Sequence, residues 1–440
     1  MSSAKPKIIV LDDDPTGSQT VHSCLLLTRW DEDTLRLGVQ DKCPIFFILT
    51  NTRSLTPEKA ASVTREVCQN LKKAIAIEKI EDFIIVSRSD STLRGHYPIE
   101  TDAIAEELGP FDAHFLIPAF FEGGRITRHS VHYLIVNSVP TPVHETEFAK
   151  DSVFGYSHSY LPDYVEEKTK GRIKAEEVER ILVADIRYGS IDRFMEMKDN
   201  QCAVVDGQSQ GDLDLFAKLI LDAVSQGKKF LFRSAASILT SLADLGPQPI
   251  AADNMAKYVR DGKPGAVIVG SHVKKTTEQL EQLLKEPNIV NIEIDVSHLL
   301  EDSPEYRTQM LDEILEKVRT ANADGKTPVI YTSRQELEFE NAEIRLKFGE
   351  AVSALLMDIV RGLPADIGFL ISKGGITSND VLSTGLSLKS VRQIGQIIAG
   401  CSVVKTEADH PLFPNLPVVL FPGNVGDSQA LATVYKRLSK

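Results

Sequence analysis

At 440 residues the chain is too long for one ordinary hydrophobic core, so two domains of roughly 200 residues each are expected. Its 42% hydrophobic and 25% charged content fits a soluble globular protein, and a formal charge of −13 argues against a general partner for nucleic acid or anionic membranes. The five cysteines (Cys24, Cys43, Cys68, Cys202, Cys401) are scattered with no CxxC or metal-ligand spacing, and no run of about 18 apolar residues occurs, so a reduced cytoplasmic protein without signal peptide or membrane span is expected.

Short β-branched or aromatic runs alternate with helical patterns. In the first half, strands are predicted at Lys7–Leu11, Ile45–Leu49, Phe83–Val86, His114–Ile117, Ile181–Ala184, Ala203–Val205 and Lys229–Phe232. A helix over Pro57–Ile77 has Thr56 to cap its free N–H groups and Pro57 in its first turn. The stretch Phe148–Lys170 has weak periodicity and reads as an excursion or lid. The pattern pauses near Gly246-Pro-Gln-Pro-Ile, which puts a domain boundary at 245–265. Strands resume at Ala266–Val269, Ile289–Ile294, Val329–Tyr331, Gly368–Ile371, Ser402–Lys405 and Val418–Phe421. Helices intervene at Pro304–Thr320, with Ser303 as cap, and at about Ala342–Arg361. Near-continuous apolar strands separated by amphipathic helices imply an α/β protein of two domains, each a mostly parallel sheet flanked by helices.

Ligands of open parallel sheets bind outside the carboxyl ends of the strands. The first strand runs into Asp12-Asp13-Asp14-Pro15-Thr16-Gly17, the second into Asn51-Thr52-Arg53, and the third into Ser87-Arg88-Ser89-Asp90-Ser91-Thr92-Leu93-Arg94-Gly95. The fourth runs into Pro118-Ala119-Phe120-Phe121-Glu122-Gly123-Gly124-Arg125. Arg53, Arg88, Arg94 and Arg125 thus reach one rim of an acidic protein, and guanidinium forks match carboxylates and phosphates. Thr16, Ser91 and Thr92 are short donors suited to a polyol. Asp13, Asp14 and Asp90 can accept from substrate hydroxyls or act as a general base. Together these residues describe a pocket for a small hydroxylated anion. Plainer roles compete: Asp12 as a turn or helix cap, and Arg53 and Arg88 as solvated or ion-paired surface groups. His129 and His132 fit a satisfied or exposed pair better than metal ligands, because spacing supplies no third ligand.

The second half carries glycine turns at strand ends. Gly270-Ser271 follows one strand and leads to a helix bearing Thr276, Thr277 and Gln279 in its first turns. Ser372-Lys373-Gly374-Gly375-Ile376-Thr377-Ser378 follows another, with Thr377 or Ser378 placed to cap the next helix; the last strand meets Pro422-Gly423-Asn424-Val425-Gly426. Such turns present backbone N–H groups to an anion, so a nucleotide or phosphate site is expected. Neither GxxxxGK[ST] nor a strand-linked GxGxxG is present.

Nearly the whole chain, in order, resembles the four-carbon acid sugar kinases, which act on threonate, erythronate or 3-oxo-tetronate. The family's Asp-Asp-x-Thr-Gly is similar to Asp13–Gly17, and its Asp-Ser-Thr-Leu-Arg-Gly stands unaltered as Asp90–Gly95. Its Pro-Ala-Phe and Gly-Arg resemble Pro118–Phe120 and Gly124-Arg125; its Gly-Ser with Thr-x-x-Gln resembles Gly270-Ser271 with Thr276–Gln279. Its Gly-Gly-Glu-Thr loop corresponds to Gly374–Thr377, and its closing Pro-Gly-Asn-x-Gly to Pro422–Gly426. The resemblance implies an acid-sugar-binding domain over 1–250, a nucleotide-binding domain over 260–440, and an active site in the interdomain cleft. It further implies ATP contacts at Ser271, Gly374, Gly375, Ile376, Thr377 and Gly423, Mg²⁺ held largely by phosphate oxygens and water, and a homodimer on family grounds alone. Two positions depart from it: Phe421 where the family usually has Lys, and Ile376 where it has Glu. Lys373 and Lys389 are the nearby cations available to compensate.

The expected reaction is phosphoryl transfer from ATP to a terminal hydroxyl. Arg94 and Arg125 would hold the substrate carboxylate, Thr16, Ser91 and Asp14 its hydroxyls, and Asp13, Asp14 or Asp90 the attacking oxygen. The rival readings are a non-catalytic acid-sugar sensor, suggested by Phe421 and Ile376, and an NAD-dependent dehydrogenase, which the architecture alone permits.

Overall fold

The computed structural model describes residues 5–136, 138–301, 304–334, 342–423 and 425–439. Contacts divide the chain into two compact units, one ending at Pro247 and one beginning at Gln248.

In the first unit, β1 (Lys7–Asp12), β2 (Leu25–Leu27), β3 (Ile45–Leu49), β4 (Phe83–Arg88) and β5 (Ala113–Ile117) alternate with helices. A separate antiparallel sheet follows, made of β6 (Arg125–Arg128), β7 (Val131–Val136) and β8 (Val139–Pro142). Then come β9 (Glu179–Ile181), β10 (Gln201–Val205) and β11 (Phe230–Ser234). The main sheet is parallel, in the order β2-β3-β1-β4-β11-β5-β10-β9. Because β1 has β3 on one side and β4 on the other, its carboxyl end is a topological switch point, where a crevice opens. One face packs Ile9, Phe46, Ile48 and Ile85 under helix Pro57–Glu78 through Val67, Cys68 and Leu71. Phe115 packs edge-on to Phe194, Phe216 and Phe230.

The second unit contains β12 (Ala266–Val269), β13 (Ile289–Ile294), β14 (Thr327–Thr332), β15 (Leu370–Lys373), β16 (Ser390–Ile398), β17 (Cys401–Lys405) and β18 (Pro417–Phe421). Their order is β13-β14-β12-β15-β18-β17-β16, parallel as far as β18 and antiparallel beyond it. Here β12 occupies the switch position, between β14 and β15. Among the described residues, no helix is long and apolar enough to cross a membrane.

Several expectations change. Strand β9 stops at Ile181, and Val183–Tyr188 is helical, because the Asp185 carboxylate accepts from Leu182 N–H at 2.8 Å and starts a helix. The short β2, the β6–β8 sheet and β16 were not expected. Neither Thr377 nor Ser378 caps helix Gly375–Asp380; both lie inside it, and Gly374, at φ +125°, makes the entry turn. The expected cap Ser303 lies outside the described residues. The stretch 148–170 is no free lid: it carries helix Leu161–Lys168, and its Tyr156 and Tyr164 are buried.

Candidate functional site

At the first switch point, β1 ends in three consecutive aspartates, each handled differently. Asp12 is fully buried, with Arg88 Nη1 at 3.5 Å from Oδ1 and, among the described residues, no hydrogen-bond partner for Oδ2. A methyl group on Gly17 would come within 2.1 Å of the same carboxylate, so only glycine closes over it. Burial pushes the Asp12 carboxyl up to about 8, against the pull of Arg88. Asp13 receives Arg53 Nε at 3.1 Å and the Ser89 hydroxyl at 2.6 Å. Asp14 accepts from Arg53 Nη1 at 3.1 Å and from the Thr16 N–H at 2.8 Å and hydroxyl at 2.5 Å. Burial alone would raise Asp14, but Arg53, Arg88 and Thr16 outweigh it and hold the group below the ordinary carboxylate range. Arg53 is therefore spent on this aspartate run, Arg88 is buried beside it with an Nε that has no partner among the described residues, and neither is a solvated surface group.

The loop Asp90–Gly95 follows β4, and its conformation is dictated from outside. Leu93 has φ +68° and Gly95 φ +127°, where a methyl would lie 2.2 Å from Ser89 Oγ. Five successive carbonyls of the loop accept from side chains. Arg233 Nη1 donates to Asp90 O at 3.3 Å, His132 Nε2 to Ser91 O at 2.8 Å, and Tyr156 to Thr92 O at 2.7 Å. Tyr164 donates to Leu93 O at 2.8 Å; Arg94 O accepts from Arg233 Nη2 at 3.0 Å and from Ser89 at 3.1 Å. All five donors are buried residues. His132 Nδ1 accepts from the Thr127 hydroxyl at 2.9 Å, and burial lowers the His132 pKa to about 4, so it works as a neutral donor.

With its backbone fixed, the loop's side chains are set against one another. Arg94 Nε donates to Asp90 Oδ2 at 2.8 Å, which also accepts from Thr92; Arg94 Nη1 lies 3.6 Å from Asp151, and its guanidinium sits 5.0 Å from the Phe148 ring centroid. Burial would raise Asp90, but Arg53 and Arg94 hold it far below the ordinary carboxylate range. Arg125 opens β6 and donates through Nη1 to Gly123 O, while its Nε is buried without a partner among the described residues. Burial lowers the Arg125 pKa, with Asp90 and Arg94 as its charged neighbours. The Ser91 hydroxyl has no hydrogen bond among the described residues. Asp13, Asp14, Thr16, Asp90, Ser91, Arg94 and Arg125 thus meet at one set of strand ends. Thr16 is engaged by Asp14, leaving Ser91 and Arg125 with unspent donors. Arg233 escaped the sequence reading; the signal was a cation inside the apolar run Phe230-Leu-Phe-Arg-Ser.

The second switch point gathers the glycine turns. Thr276 Oγ1 donates to Ser271 Oγ and Gly423 O, each at 3.1 Å. A methyl on Gly374 would lie 3.1 Å from Ser271 Cβ, one on Gly423 3.1 Å from Ser271 Oγ, and one on Gly270 2.3 Å from Thr377 Oγ1. Ser271, Gly374, Thr377 and Gly423 are therefore in mutual contact, and the helix after Gly374 carries an exposed Ile376. Lys373 is fully buried: Nζ donates to Pro422 O at 2.6 Å and lies 3.9 Å from the Phe421 ring centroid. Burial lowers it to about 7. It braces the 422–423 turn and faces no solvent. Among the described residues, no group of three or more His, Cys, Asp or Glu is placed to hold a metal ion.

Comparison with known proteins matches both units. A family model described as a sugar-binding N-terminal domain matches residues 8–242, and one described as a nucleotide-binding C-terminal domain matches residues 266–431. The chain is 22% identical to the D-erythronate kinase of Heliobacterium modesticaldum, covering 97% of this chain and 95% of that protein. It is 24% identical to the D-threonate kinase of Salmonella typhimurium, covering 97% and 96%. In fold, it is similar to the crystal structure of a Salmonella typhimurium protein described as a “putative tRNA synthase”, at TM-score 0.71 and 19% identity over 99% of this chain and 98% of that one. A Haemophilus influenzae structure follows at TM-score 0.64 and 17% identity, over 98% and 100%.

Proposed function

The chain belongs to the four-carbon acid sugar kinase family, as a divergent member with a sugar-binding N-terminal and a nucleotide-binding C-terminal domain, and on that premise we propose that it transfers phosphate from ATP to a terminal hydroxyl of a tetronate or 3-oxo-tetronate. The observation that carries the reading is the Asp90–Gly95 loop. Its carbonyls from Asp90 to Arg94 are all bonded, yet its rim keeps the unspent donors of Ser91 and Arg125 beside Arg94. A small anion rich in hydroxyls satisfies that set, whereas an apolar ligand would leave it unpaired.

In this reading Arg94 and Arg125 hold the carboxylate, and Ser91, Thr16 and Asp14 fix the hydroxyl groups. Asp90, Asp13 or Asp14 orients the attacking oxygen. The low pKa of Asp90 suits orientation better than proton removal, and phosphoryl transfer depends mainly on positioning and charge neutralisation. Ser271, Gly374, Gly375, Ile376, Thr377 and Gly423 form the nucleotide cradle. The cradle is neutral in its side chains and, among the described residues, offers no carboxylate cage, which fits Mg²⁺ carried on phosphate oxygens and water, where it would neutralise developing charge. The five free, buried cysteines and the need for ATP support a cytoplasmic setting for this activity.

An ADP-release assay over the stereoisomeric four-carbon acids, with NMR identification of the product, tests the proposal. Turnover on at least one acid is expected. Tight acid binding with no turnover on any of them would replace the kinase with a sensor.

A further inference from the structure

The second unit holds a cation that neither the glycine turns nor the family motifs account for. Arg334 lies just past the end of β14, the neighbour of β12 opposite to β15. Its Nη2 donates to Ser271 O at 2.8 Å and to Thr332 Oγ1 at 3.5 Å. That anchors the guanidinium on the turn against which Gly374 and Gly423 pack. Its Nε and Nη1 are buried without hydrogen-bond partners among the described residues. Unmet donors on buried nitrogens of a half-buried guanidinium are costly, and the chemistry that satisfies them is an anion with several acceptor oxygens. A second cation at these strand ends, Lys373, is fully buried and committed to the carbonyls of Pro422 and Gly423.

We propose that Arg334 is the phosphate-recognising cation of the nucleotide-binding unit, taking the polyphosphate of ATP on the donors that its own fold leaves unspent. The inference rests on the kinase reading above. It assigns the charge contact to the end of β14, and it makes Lys373 a brace for the loop and not a ligand contact. A guanidinium suits the task because its planar fork reaches two oxygens at once, whereas an ammonium in the same place is a single point of charge.

The test is calorimetry on the full-length protein with ATP, ADP and adenosine as separate probes, comparing wild type with Arg334→Lys and Arg334→Ala. Arg334→Ala is expected to weaken ATP and ADP by about 10- to 100-fold, the scale of a lost charge-assisted contact, while adenosine binding stays within about twofold. Arg334→Lys is expected to fall between, and it keeps the test readable if the alanine variant does not fold. ATP binding equal to wild type in either folded variant overturns the proposal. So does an equal loss on adenosine, which would mark Arg334 as a support for the turn alone. Wild-type protein that binds no adenine nucleotide would instead sink the kinase reading itself, a result distinct from a silent Arg334.

Discussion

The two loops that carry the candidate chemistry are built by opposite means. Asp90–Gly95 is held by side chains reaching in from β7, β11 and the 148–170 stretch, which between them take every carbonyl from Asp90 to Arg94. Gly374–Thr377 is held by the lack of side chains: a methyl would collide with Thr377 at Gly270 and crowd Ser271 at Gly374 and Gly423. The first loop should therefore be sensitive to atoms removed at a distance, and the second to atoms added on the spot. Directional bonds in a buried setting and steric contact fail in different ways.

The comparison can be broken most directly at the loop's own charges. Asp90→Asn and Arg94→Ala are each expected to cut kcat/KM on the preferred acid by about 100-fold or more, with ADP binding retained. Preserved activity in both folded variants would remove the acid from this loop. Next in size, Gly374→Ala forces a side chain to φ +125° and presses on Ser271. A loss of about 1–3 kcal/mol in the second unit is expected, with weakened ATP binding and unchanged acid binding, read by urea denaturation and calorimetry. Tyr164→Phe keeps the ring and strips the donor from Leu93 O. It should cost about 1–3 kcal/mol in the first unit and raise the KM for the acid, leaving ATP affinity alone.

Asp12 sharpens the contrast through pH. Its folded pKa is raised, so the protonated form favours the native state; that stability is fully present below the ordinary aspartate range near 3.8 and is lost as pH rises through about 8. Denaturation midpoints of the first unit should fall across this window by an amount on the order of a few kcal/mol, and Asp12→Asn should flatten the slope. An unchanged slope in the variant would contradict the burial account. The smallest effect is expected at Ile376, which is 64% exposed: Ile376→Glu should alter stability by under about 0.5 kcal/mol, showing that this loop is read through its backbone.

The strand-end residues were legible because apolar runs break abruptly into polar ones, and the parallel order then brings Asp13, Asp90 and Arg125 together without further information. The supports were not legible. Tyr156, Tyr164 and His132 lie 41 to 71 positions from the carbonyls they serve, and nothing local marks a tyrosine as a donor to a distant loop. Lys373 misled for the same reason: beside two glycines it looks like a ligand contact, but its place in β15, opposite Phe421 in register, turns it inward. Strand β16 was missed because Ser390–Ile398 mixes polar residues into an antiparallel pair with two irregularities.

The capped loop also bears on how a substrate preference can change over evolutionary time. A shift of Asp90–Gly95 breaks several buried bonds together, so single substitutions there are filtered out before they can be tried on a new acid. The opposite wall is different. Arg125 begins the β6–β8 hairpins, which join their surroundings through isolated bridges such as Thr127 to Gly207 and Val131 to Tyr160. Exchanges at Gly123 and Gly124 remove none of the donors that cap the carbonyls of residues 90–94. Relatives with other acids should differ there first, keeping one wall as inherited machinery and the other as the variable face.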